Sequence, residues 1–592
     1  MEKKSVIYIV IDALCQKSLD RKIGDQMVMP FLNSLAKRSV TYSHMYAQAP
    51  YTEASEVSLF TGGNTLDCGG YLFGNGTAGR SVFLDYADAS YETMYTFSPY
   101  VYSKSYLSGV KQIVYCRFFS IEPLISYRLG YYRDQWLNGR LGETAWQVCC
   151  LLLEEAFETW CAQADAFFGK DDSVAMLMDW IPDETAFFQI CKQIKTHQER
   201  FLAAKKAYVE ELFNNWQNHE IRNLNKAYGA RKSLRFSNAL RENYQSKLEA
   251  CQARYSKIAK KQLPDMNYLL GMPFRNINGV QEMKDTARAY LNYYRNQNLA
   301  EYLSSINEKS KPDVSFNRML DNFYDRIAKA HNEGKQVFAW IQPQDFHLPS
   351  LFHSLDTDDF ELNCREMEEA LTMLDAMDAT YRGNVIADLS ARYCDTKLSC
   401  FYDQLCELLG DRFVFVVTAD HGYPCYENPP RAKVYNQTYT EAFHVPFVAW
   451  DGIHIEKRDG IFSDMDSLGI IKQMAGVDPE APASARQNVL CEYGGPGCPD
   501  IGVKPIWYTY IDNHWRISAE CSLTNAFTVD CVKEIYDIQK DPSQCVNLLK
   551  FRRNSLELCD CYEVIRDRHN VLRERFAGEN FLREQLKILS VV

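Results

Sequence analysis

The sequence predicts an α/β fold, in which a mixed, mainly parallel sheet carries helices on both faces. Two apolar runs, at residues 5–11 and 414–419, are rich in β-branched and aromatic side chains. Such runs are typical of interior strands of a parallel sheet. A long stretch with helical periodicity separates them, and alternating apolar and polar residues at 505–518 indicate a small antiparallel sheet near the carboxyl end.

The first run ends at Asp12, where an open α/β sheet places its ligands. A lysine pair precedes the run, but no small-residue cleavage site follows it. We therefore interpret this segment as the first strand of the fold and not as a signal peptide.

The second run ends in Asp420, His421 and Gly422. The acid and the imidazole offer a hard oxygen and a nitrogen to a divalent metal, and the glycine allows a tight backbone turn. An Asp at a strand end also serves as a helix cap or turn residue, so the tripeptide alone leaves both interpretations open.

Residues 49–63 read as a loop followed by a short helix with Thr52 near its start. A hydroxyl at a helix amino terminus is well placed to meet a phosphate or sulfate. Capping of the helix by Thr52 is the alternative.

Taken together, these segments resemble the sulfatase family, the large branch of the alkaline phosphatase-like superfamily. The resemblance covers roughly residues 1–110 and 335–550. It rests on segments that occur in the family's order: Asp12, 29–36, 52–62, His347 with Pro349, 420–422, His444 with Pro446, and the carboxyl-terminal signature at 534–548.

One departure from the family pattern carries functional information. Sulfatases use a Cys or Ser followed by x-Pro-x-Arg, and the Cys becomes formylglycine, whereas this chain has Thr52 and Glu56 in the aligned positions. Threonine cannot form that aldehyde, which expels sulfate by elimination, but a phospho-threonine can be attacked again at phosphorus. The resemblance therefore predicts a metal-dependent hydrolase or transferase that cleaves phosphate or phosphonate esters through a covalent phospho-threonine. A sulfuric-ester hydrolase without formylglycine and a non-catalytic scaffold that uses the helical insertion remain as alternatives.

The resemblance also implies a ligand set for one divalent ion, namely Asp12, Thr52, Asp420 and His421. Its members usually begin with two adjacent acids, but Ala13 follows Asp12 here. One imidazole among carboxylates favours zinc or manganese, with calcium or magnesium as alternatives.

Three further residues are expected on the substrate side. His347 and His444 resemble family histidines that contact the transferred group or protonate the leaving oxygen. Lys433 is expected to neutralise anionic oxygens of the substrate. Asp345 with the two histidines leaves a second metal open.

The composition narrows the range of partners. The chain has 592 residues, is 46% hydrophobic and 24% charged, and has a net charge of −12, which does not favour nucleic-acid binding. No apolar run approaches the ~20 residues of a membrane span. We read the 20 cysteines as reduced thiols and expect a cytoplasmic protein. The expected substrate is an anionic ester, either a small molecule or a glycan or lipid precursor.

The expected domains are a catalytic core at 1–115 and 335–490, a mostly helical insertion at 120–335 and a subdomain at 491–592. Within the insertion, the pattern at 184–260 predicts a long antiparallel helical pair. The insertion could be a lid, an acceptor-binding surface or an interface between identical subunits. In the last subdomain we expect a hairpin at 505–518, a small antiparallel sheet and terminal helices.

Overall fold

The computed structural model describes most of the predicted core and parts of the insertion. The described residues are 3–68, 80–97, 108–116, 129–168, 184–224, 316–343, 385–423, 439–478, 484–494, 505–576, 582–583 and 586–587. Within these ranges, none of the helices combines the length and the apolar character needed to cross a membrane.

A nine-stranded sheet forms the centre of the molecule, with the order β11-β4-β10-β8-β1-β7-β5-β6 and β9 paired to β4. A small hairpin of β2 and β3 lies outside it. The strands are β1 (Ser5–Val10), β2 (Lys22–Ile23), β3 (Gln26–Met27), β4 (Val40–Tyr46), β5 (Glu92–Phe97), β6 (Gln112–Cys116), β7 (Val337–Ile341), β8 (Phe413–Thr418), β9 (His444–Val445), β10 (Phe447–Trp450) and β11 (Glu456–Ser463).

Strand direction decides where the functional residues meet. β8, β1, β7, β5 and β6 pair in parallel. β10 runs antiparallel to both β8 and β4, so β4 points in the same direction as β1 and β8. The carboxyl ends of β1, β4 and β8 therefore lie at one edge of the sheet.

Two groups of helices cover this sheet. α1 and α8 pack against α9, whereas α2 packs against α3 and α10. Every residue of β1, β7 and β8 is buried, as expected for strands covered on both faces. The helices are α1 (Pro30–Ala36), α2 (Thr52–Thr61), α3 (Val82–Asp88), α4 (Gly130–Leu137), α5 (Glu143–Phe168), α6 (Glu184–Ala203), α7 (Lys205–Asn214), α8 (Phe316–Asn332), α9 (Val385–Leu409), α10 (Ser467–Met474), α11 (Leu549–Arg552) and α12 (Cys559–Phe576).

The described part of the insertion is helical, but its helices differ from the predicted pair at 184–260. The helix that starts at Glu184 ends at Ala203, and α7 folds back so that the Tyr208 hydroxyl lies 2.8 Å from His197 Nδ1. α6 packs against α5, which precedes it in the chain. The rest of the predicted pair, 225–260, lies outside the described residues.

The carboxyl-terminal sheet matches the expectation. It is a four-stranded antiparallel sheet of β12 (Val489–Gly494), β13 (Ile506–Ile511), β14 (Trp515–Cys521) and β15 (Val532–Asp537). The predicted hairpin is formed by β13 and β14, and Asp512 Oδ1 accepts hydrogen bonds from His514 N and Trp515 N in the turn. α12 packs on β13 and closes a second hydrophobic core.

Candidate metal-binding active site

Four of the predicted residues meet at the carboxyl edge of the sheet. His421 Nε2 is at their centre, 3.4 Å from Thr52 Oγ1, 3.5 Å from Asp12 Oδ1 and 3.8 Å from Asp420 Oδ2. The ligand atoms of the two acids and the histidine all lie within 4.8 Å of one another. The side chains come from the ends of β1 and β8 and from the start of α2, so distant parts of the chain build one site.

The two oxygens of Asp420 have different roles. Oδ1 accepts hydrogen bonds from Ala13 N at 3.1 Å and from His421 N at 2.8 Å, which fixes the carboxylate. Oδ2 is buried and has no hydrogen-bond partner in the part of the chain that the structure describes. A buried carboxylate oxygen without a donor is costly unless it meets a cation.

The tautomer of His421 follows from its other nitrogen. Nδ1 lies 2.8 Å from Gly422 O. A carbonyl only accepts, so Nδ1 carries the proton and Nε2 presents its lone pair to the cluster. This is the arrangement that metal-binding histidines use, because the second hydrogen bond orients the ring.

These features fit a divalent cation. Two buried carboxylates so close together repel each other, and a cation would remove that repulsion. Carboxylate oxygens and an imidazole nitrogen are ligands that divalent metal ions accept in proteins. Asp12, Asp420 and His421 are therefore the residues that would hold the ion.

Thr52 occupies the first turn of α2, which begins at this residue. Its hydroxyl can donate to the His421 Nε2 lone pair across the 3.4 Å that separate them. The residue is 6% exposed, so the hydroxyl lies in a largely desolvated position beside the three ligands.

The backbone at two positions is adapted to the site. Ala13 has a φ of 67°, a left-handed conformation uncommon for alanine, and this conformation directs its N–H at Asp420. Gly422 lies so close to the 441–442 backbone that a Cβ would be 2.0 Å from Glu441 O. The sequence indicated a tight turn at Gly422 but gave no signal for Ala13.

His444 lies at the same edge, in β9, but its surroundings differ from those of the cluster. Nε2 is 2.9 Å from Ser43 O, and the ring packs against His44 and Tyr46. Burial lowers the pKa of His444 to about 4, so the ring is neutral near pH 7. A neutral ring whose N–H is held by a carbonyl is poorly suited to protonate a leaving group, and the role of His444 toward a substrate stays a prediction.

The remaining predicted substrate-side residues lie outside the described residues. These are His347 and Lys433, together with Asp345, which was considered for a second metal. Their roles stay predictions.

Three residues near the cluster were not singled out from the sequence, namely Cys15, Lys17 and Glu441. Cys15 is buried beside Gly422, and burial raises the pKa of its thiol to about 12, so it does not supply a thiolate. Lys17 Nζ and Glu441 Oε1 form an ion pair at 2.9 Å next to the same turn. Glu56, in the aligned arginine position, is fully buried in α2. Of these four residues, only Glu56 could be noticed from the sequence, because it occupies the arginine position of the sulfatase motif.

The fold and the cluster define an α/β protein with a mixed, mainly parallel sheet and a candidate cation site. A family model described as Sulfatase matches residues 250–477, a segment that contains Asp420 and His421. The match covers less than half of the chain and does not reach Asp12 or Thr52. It supports the resemblance to sulfatases inferred from the motifs. No curated protein sequence matches the chain.

Several solved structures can be aligned with the chain over most of its length. A phosphonate monoester hydrolase from Silicibacter pomeroyi is 13% identical, with 97% of each chain covered and a TM-score of 0.45. A phosphonate monoester hydrolase of Agrobacterium radiobacter is 10% identical, with 97% of this chain and 96% of that chain covered and a TM-score of 0.45. A 2-O GAG sulfatase is 12% identical, with 97% and 94% covered and a TM-score of 0.42. At these identities and scores, the likeness carries no argument about substrate.

Proposed function

We propose that the protein is a metal-dependent hydrolase or transferase that cleaves phosphate or phosphonate esters through a covalent phospho-threonine at Thr52. The observation that supports this most is the position of the Thr52 hydroxyl, 3.4 Å from His421 Nε2 and beside the buried carboxylates of Asp12 and Asp420. The sulfatase match supports ester cleavage as the general class.

The identity of residue 52 favours phosphorus over sulfur. A threonine cannot become formylglycine, so a sulfated enzyme would lack the elimination step that releases sulfate. A phosphorylated threonine needs no such step, because water or an acceptor hydroxyl can attack its phosphorus. Glu56 also replaces the arginine of the sulfatase motif, so a positive charge is absent from that position of α2.

The cation ligands, Thr52 and the first turn of α2 each have a separate role in this reaction. Asp12, Asp420 and His421 would hold the cation, which would neutralise anionic oxygens and acidify a neighbouring hydroxyl. Thr52 Oγ forms a bond to phosphorus while the ester P–O bond breaks, and the hydroxyl proton ends on the departing alcohol. The first turn of α2 favours the anionic group through its amide groups and dipole. Attack by water or an acceptor hydroxyl then restores the Thr52 hydroxyl, giving hydrolysis or transfer.

Turnover of a panel of chromogenic esters tests the reaction class. The panel holds a diaryl phosphate, an aryl phosphate, an aryl phosphonate ester and an aryl sulfate, each with added zinc, manganese, calcium or magnesium. We expect turnover of phosphorus esters and little turnover of the sulfate. Turnover of the sulfate alone would support the formylglycine-independent sulfatase instead, and no turnover of any ester would favour a scaffold.

Substitution of Thr52 tests the nucleophile. Thr52→Ala should abolish turnover and leave metal binding largely intact. Thr61→Ala is the matched control, because it also removes a hydroxyl from α2. Among the described residues, the Thr61 hydroxyl contacts Val57 O, Gly63 N and Cys68 Sγ. Mass spectrometry of acid-quenched enzyme should detect phosphate on the peptide that contains Thr52, and retained turnover in Thr52→Ala would refute the mechanism.

A further inference from the structure

Both ends of the Thr52 segment are attached to the carboxyl-terminal subdomain. Upstream of Thr52, the Gln48 carbonyl accepts a hydrogen bond from Glu492 N at 3.1 Å. The Tyr51 hydroxyl donates to Gly494 O at 3.3 Å. Glu492 and Gly494 both belong to β12, so the loop that leads into α2 lies against the edge of the second sheet.

The same residue of β12 also reaches the segment downstream of α2. The buried Glu492 carboxylate accepts hydrogen bonds from Arg568 Nε at 2.6 Å and from Arg568 Nη2 at 2.5 Å. Asp67 Oδ1 accepts from Arg568 at 3.0 Å and from Arg575 at 2.8 Å. Glu492 thus holds the upstream end of the segment through its backbone, and its carboxylate holds Arg568, which in turn bonds Asp67 at the downstream end.

The downstream turn transmits this attachment to the helix. Thr65 Oγ1 donates to Ala54 O and lies 3.1 Å from Ser58 Oγ. These groups are buried, and they join the turn after α2 to the helix that begins with Thr52.

We infer that the carboxyl-terminal subdomain is part of the active site, and that Arg568 is a positioning residue for the Thr52 hydroxyl. The inference rests on the proposed function, because it takes Thr52 as the attacking group. Arg568 touches none of the three candidate cation ligands in the hydrogen bonds of the described residues. It fixes Glu492 and Asp67, and these two residues fix the segment that carries Thr52. Loss of Arg568 should therefore affect turnover while the cation site keeps its ligands.

Hydrogen exchange of the full-length, metal-loaded protein tests the attachment without relying on turnover. In Arg568→Met we expect peptides from residues 47–68 to exchange at least about tenfold faster, as for loss of a charged hydrogen bond. Arg566→Met, an exposed position on the same helix, is the control and should leave exchange unchanged. Asp67→Asn keeps the Glu492–Arg568 pair, so it provides a second variant should Arg568→Met fail to fold.

Kinetics test the consequence for Thr52. We expect kcat for an aryl phosphate to fall at least about tenfold in Arg568→Met, with KM and metal stoichiometry unchanged, and Arg568→Lys to restore part of kcat. Unchanged exchange at 47–68 in both variants, or faster exchange with unchanged kcat, would overturn the inference. Failure of the proposed function is separate, since it would appear as turnover that survives Thr52→Ala.

Discussion

Replacement of Gly422 with alanine tests the geometry of the turn that carries Asp420 and His421. A Cβ at this position would lie 2.0 Å from Glu441 O and 3.1 Å from Cys15 Cβ. The nearer atom belongs to the backbone and cannot rotate away. The 420–422 turn must therefore separate from the 441–442 segment.

The expected cost follows from the contacts that this separation breaks. Overpacking of a tight site costs about 1–3 kcal/mol. The hydrogen bond from Gly422 N to Ala442 O, 2.9 Å long, contributes about 1 kcal/mol. The lower entropy of an unfolded chain with alanine offsets about 0.4–1 kcal/mol. We expect a net destabilisation of about 1–4 kcal/mol, from these three contributions together.

The metal affinity should fall as well, because a shift of the turn relieves the clash by moving two ligands. We expect the dissociation constant of the metal to rise ten- to hundredfold, which corresponds to a loss of about 1.4–2.8 kcal/mol of binding free energy. Titration calorimetry with Zn²⁺ and Mn²⁺ measures the affinity, and urea denaturation measures the stability. Gly142→Ala is the matched control, since a Cβ there meets nothing within 4 Å. If Gly422→Ala behaves like the control in both measurements, the predicted clash is wrong.

Three further predictions concern charged groups. Asp420→Asn keeps an oxygen for the backbone donors but loses the charge, so titration calorimetry should show metal binding weakened by at least about tenfold, while the metal-free protein should be no less stable because two buried carboxylates no longer repel each other. Burial raises the pKa of Asp464 to about 7 from 3.8, so the folded state binds more protons than the unfolded state between these pH values. The free energy of unfolding should therefore fall as the pH rises across that window, and urea denaturation at pH 4.5 and 7.5 measures it. In Asp464→Asn the fall between these two pH values should be smaller than in the unsubstituted protein. An equal fall in both proteins would contradict the prediction. Arg516→Met removes the guanidinium that lies 2.8 Å from the buried Glu534 carboxylate, and it should cost about 3–5 kcal/mol in urea denaturation. Arg552→Met, at an exposed ion pair, should cost under about 1 kcal/mol in the same measurement.

The sequence was sufficient to predict the fold class and the convergence of the strand ends. Apolar runs predicted β1 and β8 because both are buried along their whole length. The parallel arrangement then placed Asp12 beside Asp420. Thr52 could be proposed as the nucleophile because it begins the segment that resembles the sulfatase motif, which follows β4 in the chain.

The helical insertion shows the limit of local patterns. The helix from Glu184 ends at Ala203, although no proline or glycine interrupts the sequence there. Alanine has a high intrinsic helix propensity, so local preference favoured continuation. Packing of α7 back onto α6, with Tyr208 against His197, outweighs that preference.

The supporting contacts of the site could not be predicted, because they join residues far apart in the chain. Gly422 meets Glu441 only when β10 turns back beside β8. Glu492 meets Gln48 and Arg568 only when the second sheet lies against α2. No periodicity within a short window carries this information.

The reversed direction of β10 has a consequence for how this protein could diversify. The chain leaves the reactive edge after Tyr423 and is back at that edge by Tyr439, and the Gly422–Ala442 hydrogen bond closes the base of the connection. In the described residues, Asp420 and His421 make hydrogen bonds with Ala13, Thr52 and Gly422. Substitutions elsewhere in the sequence, including those between residues 423 and 439, can therefore change other properties of the protein while these contacts are kept.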